Sequence, residues 1–195
     1  MRTAWPRPSF LALVAALVGC PHAPTAPVSS LPPTGPQPLP GLELSSPAFA
    51  NGHTLPVKYT ADGANVSPPL AWAWVGVPPL TKEWAVVCDD PDAPGGTFTH
   101  WVLYGLAPQT TSLPEGLPRD KSLAAPVCLQ GVNDFGKIGY SGPAPPPGKS
   151  HRYRFHLYAL SAPTGLPPGA AEAQVVAAIE KSEITEATLV GLYGR

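Results

Sequence analysis

Proline restricts this chain more than any other feature. There are 29 prolines and 19 glycines, so the two make up about a quarter of the 195 residues. Each proline removes a backbone donor and fixes φ, which bars it from helix interiors and from central strands. Clusters of Pro and Gly divide the sequence into short apolar runs, a pattern of short strands and many turns. That fraction of Pro and Gly also reaches the range of low-complexity chains. Five Trp, six Tyr and five Phe are too many for a wholly disordered one. The chain therefore reads as one turn-rich domain with a proline-rich segment attached, and its length suits one domain rather than two.

Charge removes further classes. Lys and Arg number 12 against 13 Asp and Glu. Without a basic excess, nucleic acid is excluded as a partner held by counterion release. No run of 18 apolar residues exists, so no helix crosses a membrane.

The first 19 residues read as a leader. Arg2 and Arg7 precede nine apolar residues, Phe10 to Val18, the length of a signal-peptide core. Leu17-Val18-Gly19-Cys20 then has the form of a bacterial lipobox, in which the cysteine receives lipid. Cleavage before Cys20 would leave 176 residues and remove two positive charges, giving a net charge of −3. Acylated at Cys20 by more than one chain, the protein would be held firmly at a membrane. Pro21 stands where an aspartate commonly retains lipoproteins at the inner membrane, which points to the outer membrane of a bacterial envelope. Residues 20–41 follow as a proline-rich tether. Positions 21–40 hold eight prolines and no charge, so they cannot pack a core.

The folded domain is expected over residues 42–195. Trp84 to Asp89, His100 to Leu106 and Arg152 to Leu160 read as strands, with Leu55 to Thr60 and Thr188 to Tyr193 as further ones. Tyr153, Phe155, Leu157 and Ala159 fall on one face. Ala170 to Lys181 is the one clear helix, and Ser182 to Ala187 would extend it by a turn or two. The pattern predicts a mainly β protein, an antiparallel sheet or sandwich with peripheral helices.

Three places carry candidate chemistry. Asp89-Asp90-Pro91-Asp92-Ala93-Pro94 ends a strand in a turn, which reads as a solvated turn unless something binds there; the prolines and the ligand spacing disfavour calcium. His100 opens the next strand, where Asp90 could face it. Gly139 to Gly148 is a rigid Gly/Pro loop leading to His151 and Tyr153, which share a strand face and could form one wall of a polar pocket or be an ordinary surface histidine and core tyrosine.

Taken in order, Asn65 to Trp72, Asp89 to Pro94, His100-Trp101, Asn133-Asp134-Phe135-Gly136 and Gly139 to Tyr153 resemble the phosphatidylethanolamine-binding protein family, in its bacterial Raf-kinase-inhibitor-like branch. The resemblance spans nearly all of residues 42–195. It implies a Greek-key β-sandwich with short peripheral and C-terminal helices. It also implies a small pocket for phosphate-like anions or phospholipid head groups, to which Asp90, Asp92, His100, Gly142, Ala144, His151 and Tyr153 correspond. Ala144 stands where the bacterial branch often has cysteine, so no thiol chemistry is expected there. The relatives also imply a cis peptide at Ala93-Pro94. In such a pocket the two histidines, Tyr153 and the amides of the glycine-rich loop would donate to an anion, with Asp90 orienting a histidine.

Three function classes follow. The first is a binding module for an anionic head group or small anion, without cofactor or metal. The second is an inhibitor of a partner protein, for an exported chain a peptidase rather than a kinase. The third is a weak hydrolase using the His/Asp cluster, against which stands the lack of a G-x-S-x-G elbow; Ser141 is not a convincing nucleophile. No spacing supports a metal site. With Cys20 acylated, Cys88 and Cys128 remain as a pair that an oxidising compartment would allow to bridge. The resemblance brings both segments toward one pocket; the competing reading makes Cys88 a small core residue.

Overall fold

The computed structural model describes residues 41–75 and 80–195. The leader, Cys20 and residues 20–40 of the expected tether lie outside them. The described residues form two sheets. The larger has seven strands in the order β2 (His53–Thr54), β10 (Glu183–Tyr193), β9 (His151–Leu160), β4 (Glu83–Asp90), β5 (Phe98–Leu106), β8 (Val127–Gln130) and β7 (Ser122–Ala124). The smaller holds β1 (Gly41–Ser45), β3 (Leu70–Val75) and β6 (Ser112–Leu113). β4 and β5 form a hairpin, and β9 returns from much later in the chain to take the other edge of β4, a Greek-key connection.

β4 explains why its sequence does not alternate. Both its faces are covered, and every one of its residues is buried. Val86 and Cys88 face a core shared with Leu70, Trp72 and Leu113 of the smaller sheet and with Trp101, Phe155 and Leu157 of the larger. Ala85 and Val87 face outward, where Val102, Tyr104 and Leu160 meet Val175 and Ile179 of helix α1 (Glu172–Ser182). Full burial of a side chain such as Phe155 contributes about 2–3 kcal/mol.

Three expectations are corrected. Leu55 to Thr60 is not a strand. Leu55 still donates to the Leu192 carbonyl, but Pro56 has no donor to continue the ladder and Val57–Tyr59 turns into a 3₁₀ helix. Ser182 to Ala187 does not extend the helix. The Ser182 carbonyl accepts from the backbone and hydroxyl of Ser161, and β10 begins at the next residue, so the described residues contain a single α-helix. Cys88 and Cys128 are free buried thiols. β5 lies between their strands. Adjacent strands sit about 4.8 Å apart, so two steps across the sheet already exceed the roughly 7 Å limit for a disulfide. Burial pushes the Cys128 thiol up to about 12 and the Cys88 thiol well above its ordinary value.

Candidate functional site

The site grows from the end of β4, where the alternation of a strand sends two neighbouring acids to opposite faces. Asp89 goes to the outer face. Burial pushes its carboxyl up, but nearby His156 and the hydrogen-bonded Arg154 guanidinium outweigh this and hold it below its ordinary range. Asp90 goes inward and is 4% exposed. Its Oδ1 accepts from the Asp92 amide at 2.8 Å, which closes the turn at Pro91. Its Oδ2 accepts from His151 Nδ1 at 2.7 Å.

His100 reaches the same end of the sheet by a bulge. Cys88 pairs with Trp101 and Asp89 with Thr99, so His100 is the extra residue between them. A bulge re-aims a side chain, and here His100 and Trp101 both turn inward. His100 Nδ1 donates to the Ser141 carbonyl at 2.6 Å. Burial is the main influence on His100 and pushes its pKa down; the Ser141 carbonyl and the charges of Asp90, Asp89 and Asp134 oppose it. Tyr153 meets His100 edge-on, with ring centroids 5.2 Å apart, and stacks beside His151 at 6.5 Å. Burial, and then the charge of Asp90, push its phenol well up.

Asn133 ties the neighbouring loop to β5. Its Nδ2 lies within 3.1 Å of the carbonyls of His100 and Gly139 and of Ser141 Oγ, while its Oδ1 accepts from the amides of Phe135 and Lys137. Asp134 accepts from the Thr99 amide at 2.6 Å. This clamp holds Phe135 against Phe98 and His100, with centroids 4.7 and 5.3 Å apart. It also occupies Ser141 Oγ, which lies outside the cavity lining.

These groups enclose a cavity of about 180 Å³. Asp90, His100, His151 and Tyr153 supply its polar side chains; Phe98, Phe135 and the Ala93-Pro94 and Ala144 to Pro146 segments supply apolar walls. Two expected residues are elsewhere. Asp92 faces outward and takes Arg152 through Nε at 2.9 Å and a terminal nitrogen at 2.7 Å, and its carboxyl is held far below the usual range by that guanidinium. Gly142 backs onto the Tyr59-Thr60 backbone. A Cβ there would lie 2.5 Å from the Tyr59 carbonyl oxygen, so the close approach requires glycine. The loop amides are engaged internally as well: Ser141 donates to the His100 carbonyl and Gly142 to Asn65 Oδ1. Ala93-Pro94 is not cis. Ala93 instead accepts from the Gly96 amide across a turn, and the cis peptide in the described residues is Ala125-Pro126.

The two phenylalanine walls are the part of the site that the sequence does not announce. Phe98 carries a signal, because it stands two before His100 on the same strand face. Phe135 stands inside a motif that carries only the resemblance, and nothing local tells that it would face His100.

Residues 45–194 match the family model described as phosphatidylethanolamine-binding protein. The chain is 46% identical over 154 residues to the UPF0098 protein of Methanothermobacter thermautotrophicus, covering 79% of this chain and 99% of that one. It is 39% identical over 195 residues to the Mycobacterium tuberculosis protein named "Putative lipoprotein LppC", covering 94% of this chain and 92% of that one. The crystal structure of Escherichia coli YbcL, described as a member of the mammalian PEBP family, superposes with a TM-score of 0.72 at 32% identity, covering 79% of this chain and 98% of that one. With residues 45–194 matched by the family model, the chain belongs to the phosphatidylethanolamine-binding protein family.

Proposed function

We propose that this protein is a lipid-anchored module of the bacterial cell envelope whose pocket binds a phosphate-like anion, free or as a phospholipid head group. The observation that carries this reading is the convergence of His100, His151 and Tyr153 on one small cavity, with Asp90 fixing His151 from behind. Imidazole and phenol groups can donate to oxyanion oxygens, and a carboxylate behind an imidazole fixes its orientation. A volume of about 180 Å³ suits a head group and not a whole lipid. The apolar walls lower the polarity around the contact, which strengthens it. The anchor rests on the leader and Cys20, and a relative named as a lipoprotein supports it. Pro21 after the cysteine favours the outer membrane.

Titration of the protein with inorganic phosphate and with phosphoethanolamine, followed through the histidine ring signals, tests the pocket. Saturable shifts of His100 and His151, absent in His100→Ala, are expected; unchanged ring signals at millimolar ligand would sink the reading. Mass analysis of the native protein should find a lipidated Cys20 at its amino terminus, and a mature chain beginning elsewhere removes the anchor.

A further inference from the structure

Eleven residues line the cavity, and none is lysine or arginine. Arg152, the nearest in sequence, is turned outward to Asp92. The Tyr153 O–H is a neutral donor at every pH, and the remaining polar atoms are largely used up. Both oxygens of Asp90 already accept, one from the Asp92 amide and one from His151 Nδ1. His100 Nδ1 faces the Ser141 carbonyl, which can only accept. Each imidazole therefore keeps a proton on Nδ1 and has Nε2 left over. A neutral ring of this tautomer presents a lone pair at Nε2, and a lone pair repels an anionic oxygen. The two can meet only across a proton. Either the oxyanion keeps an O–H and donates it, or the imidazole has taken up a proton from solvent.

Resting on the anion-pocket reading above, we propose that the site binds its oxyanion together with one proton, shared between His100 Nε2 and the ligand, so that it selects phosphoryl groups carrying their own O–H and tightens on all others as pH falls. The surroundings of His100 set this balance. Asp89 and Asp90 of β4 and Asp134 of the 133–141 loop act on it electrostatically, Tyr153 and His151 flank it from β9, and residues 141–147 add no titratable side chain. His151 has Asp90 behind it and Asp92, Lys149 and Arg152 on its outer side. Burial between Phe98, Phe135 and Tyr153 keeps the free His100 ring neutral at pH 7, so the proton arrives with the anion rather than before it.

Calorimetric titration of the full chain with sulfate, inorganic phosphate and glycerophosphoethanolamine, at about pH 5.5, 7 and 8.5 and in two buffers of different ionisation enthalpy, counts the protons taken up. Sulfate and the phosphoryl group of the diester carry no O–H. Each should bind at least about tenfold more tightly at the lowest pH than at the highest, with uptake approaching one proton. Phosphate, which brings one, should bind at least about tenfold more tightly than sulfate at pH 7. At pH 5.5, a diester that binds more tightly than phosphate assigns the ligand to phospholipid heads; the reverse order assigns it to free phosphate. Sulfate affinity independent of pH, with no proton exchanged, overturns proton coupling and leaves the anion pocket standing. Binding of none of the three overturns the pocket itself. In His100→Gln the terminal amide donates at every pH, so the pH dependence of sulfate binding should fall below about threefold; a folded variant that keeps it removes His100 from the role. Should that variant not fold, the proton count on the unaltered chain decides.

Discussion

Asp89 and Asp90 are neighbours at the end of one strand and are treated in opposite ways. On the outer face Asp89 takes a bidentate fork from Arg154, both bonds at 2.8 Å, with His156 Nε2 at 3.7 Å. Its charge is matched locally by a permanent cation, a closed arrangement that holds β4 to β9. On the inner face Asp90 has no guanidinium. It holds His151 and the Asp92 amide, and the rings beyond it line the cavity. A structural acid is paired to completion, whereas a site acid spends its charge on orienting a group that still has a free face. The contrast separates the two roles where net charge and residue type cannot.

The sharpest way to break the comparison is to remove each acid in turn. Asp90→Ala strips both partners from a pair buried on either side, and should cost about 3 kcal/mol or more of stability. It should also lower phosphate affinity at least about tenfold, because His151 loses its fixed orientation. Asp89→Asn leaves Arg154 half-satisfied at a site 34% exposed on the arginine side, and should cost about 1–2 kcal/mol with phosphate affinity within about twofold of the unaltered protein. Urea unfolding and calorimetric titration of both variants read this directly. Equal losses of affinity would show that the two acids are not divided as described.

The pH dependence of stability sharpens the same division. Asp89 has a depressed folded pKa, so its contribution is present above the unfolded value of about 3.9 and is lost as pH falls through the folded one. His100 is a base with a depressed folded pKa. Its contribution is present above the unfolded value of about 6.5 and is lost as pH falls from there, because the unfolded chain takes up the proton first. The urea midpoint should therefore fall in two stages, one beginning near pH 6.5 and one below about pH 4. Saturating sulfate should shrink the first stage and leave the second. A midpoint that stays level between pH 7 and 5 would remove the inner half of the division.

Much of this is legible in the sequence alone. Period-two alternation puts His151 and Tyr153 on one face and Asp89 and Asp90 on opposite ones. The resemblance places the acid turn, His100 and the Gly/Pro loop in one pocket. What alternation cannot tell is register. That His100 sits on a bulge, that Asp90 holds His151 and not His100, and that β5 separates Cys88 from Cys128 are all facts of which residue stands opposite which. Short strands such as Ser122–Ala124 and Val127–Gln130 carry too few residues for a period to show. Glu183 to Ala187 read as helix because alanine and glutamate favour one, yet pairing with β9 from Glu183 to Tyr193 outweighs a propensity of a few tenths of a kcal/mol per residue.

The smallest expected effect tests the boundary of the site. The resemblance assigns Asp92 to the anion pocket, but its carboxylate accepts three bonds from Arg152, one of them from the backbone amide. That pair lies at the surface, with side chains 30% and 58% exposed, where screening by water and salt leaves little net energy. If the pocket ends at His151, as its lining does, then Arg152→Gln removes a guanidinium that no ligand touches. Phosphate affinity should change by less than about twofold and lose little of its salt dependence, since the long-range attraction of one exposed charge falls off within about 10 Å at 0.1 M salt. A loss of more than about tenfold would mean that Arg152 releases Asp92 and turns inward once an anion arrives. The donor set would then include a permanent cation, the proton would no longer be needed, and the inner face would differ from the outer only in waiting for its arginine.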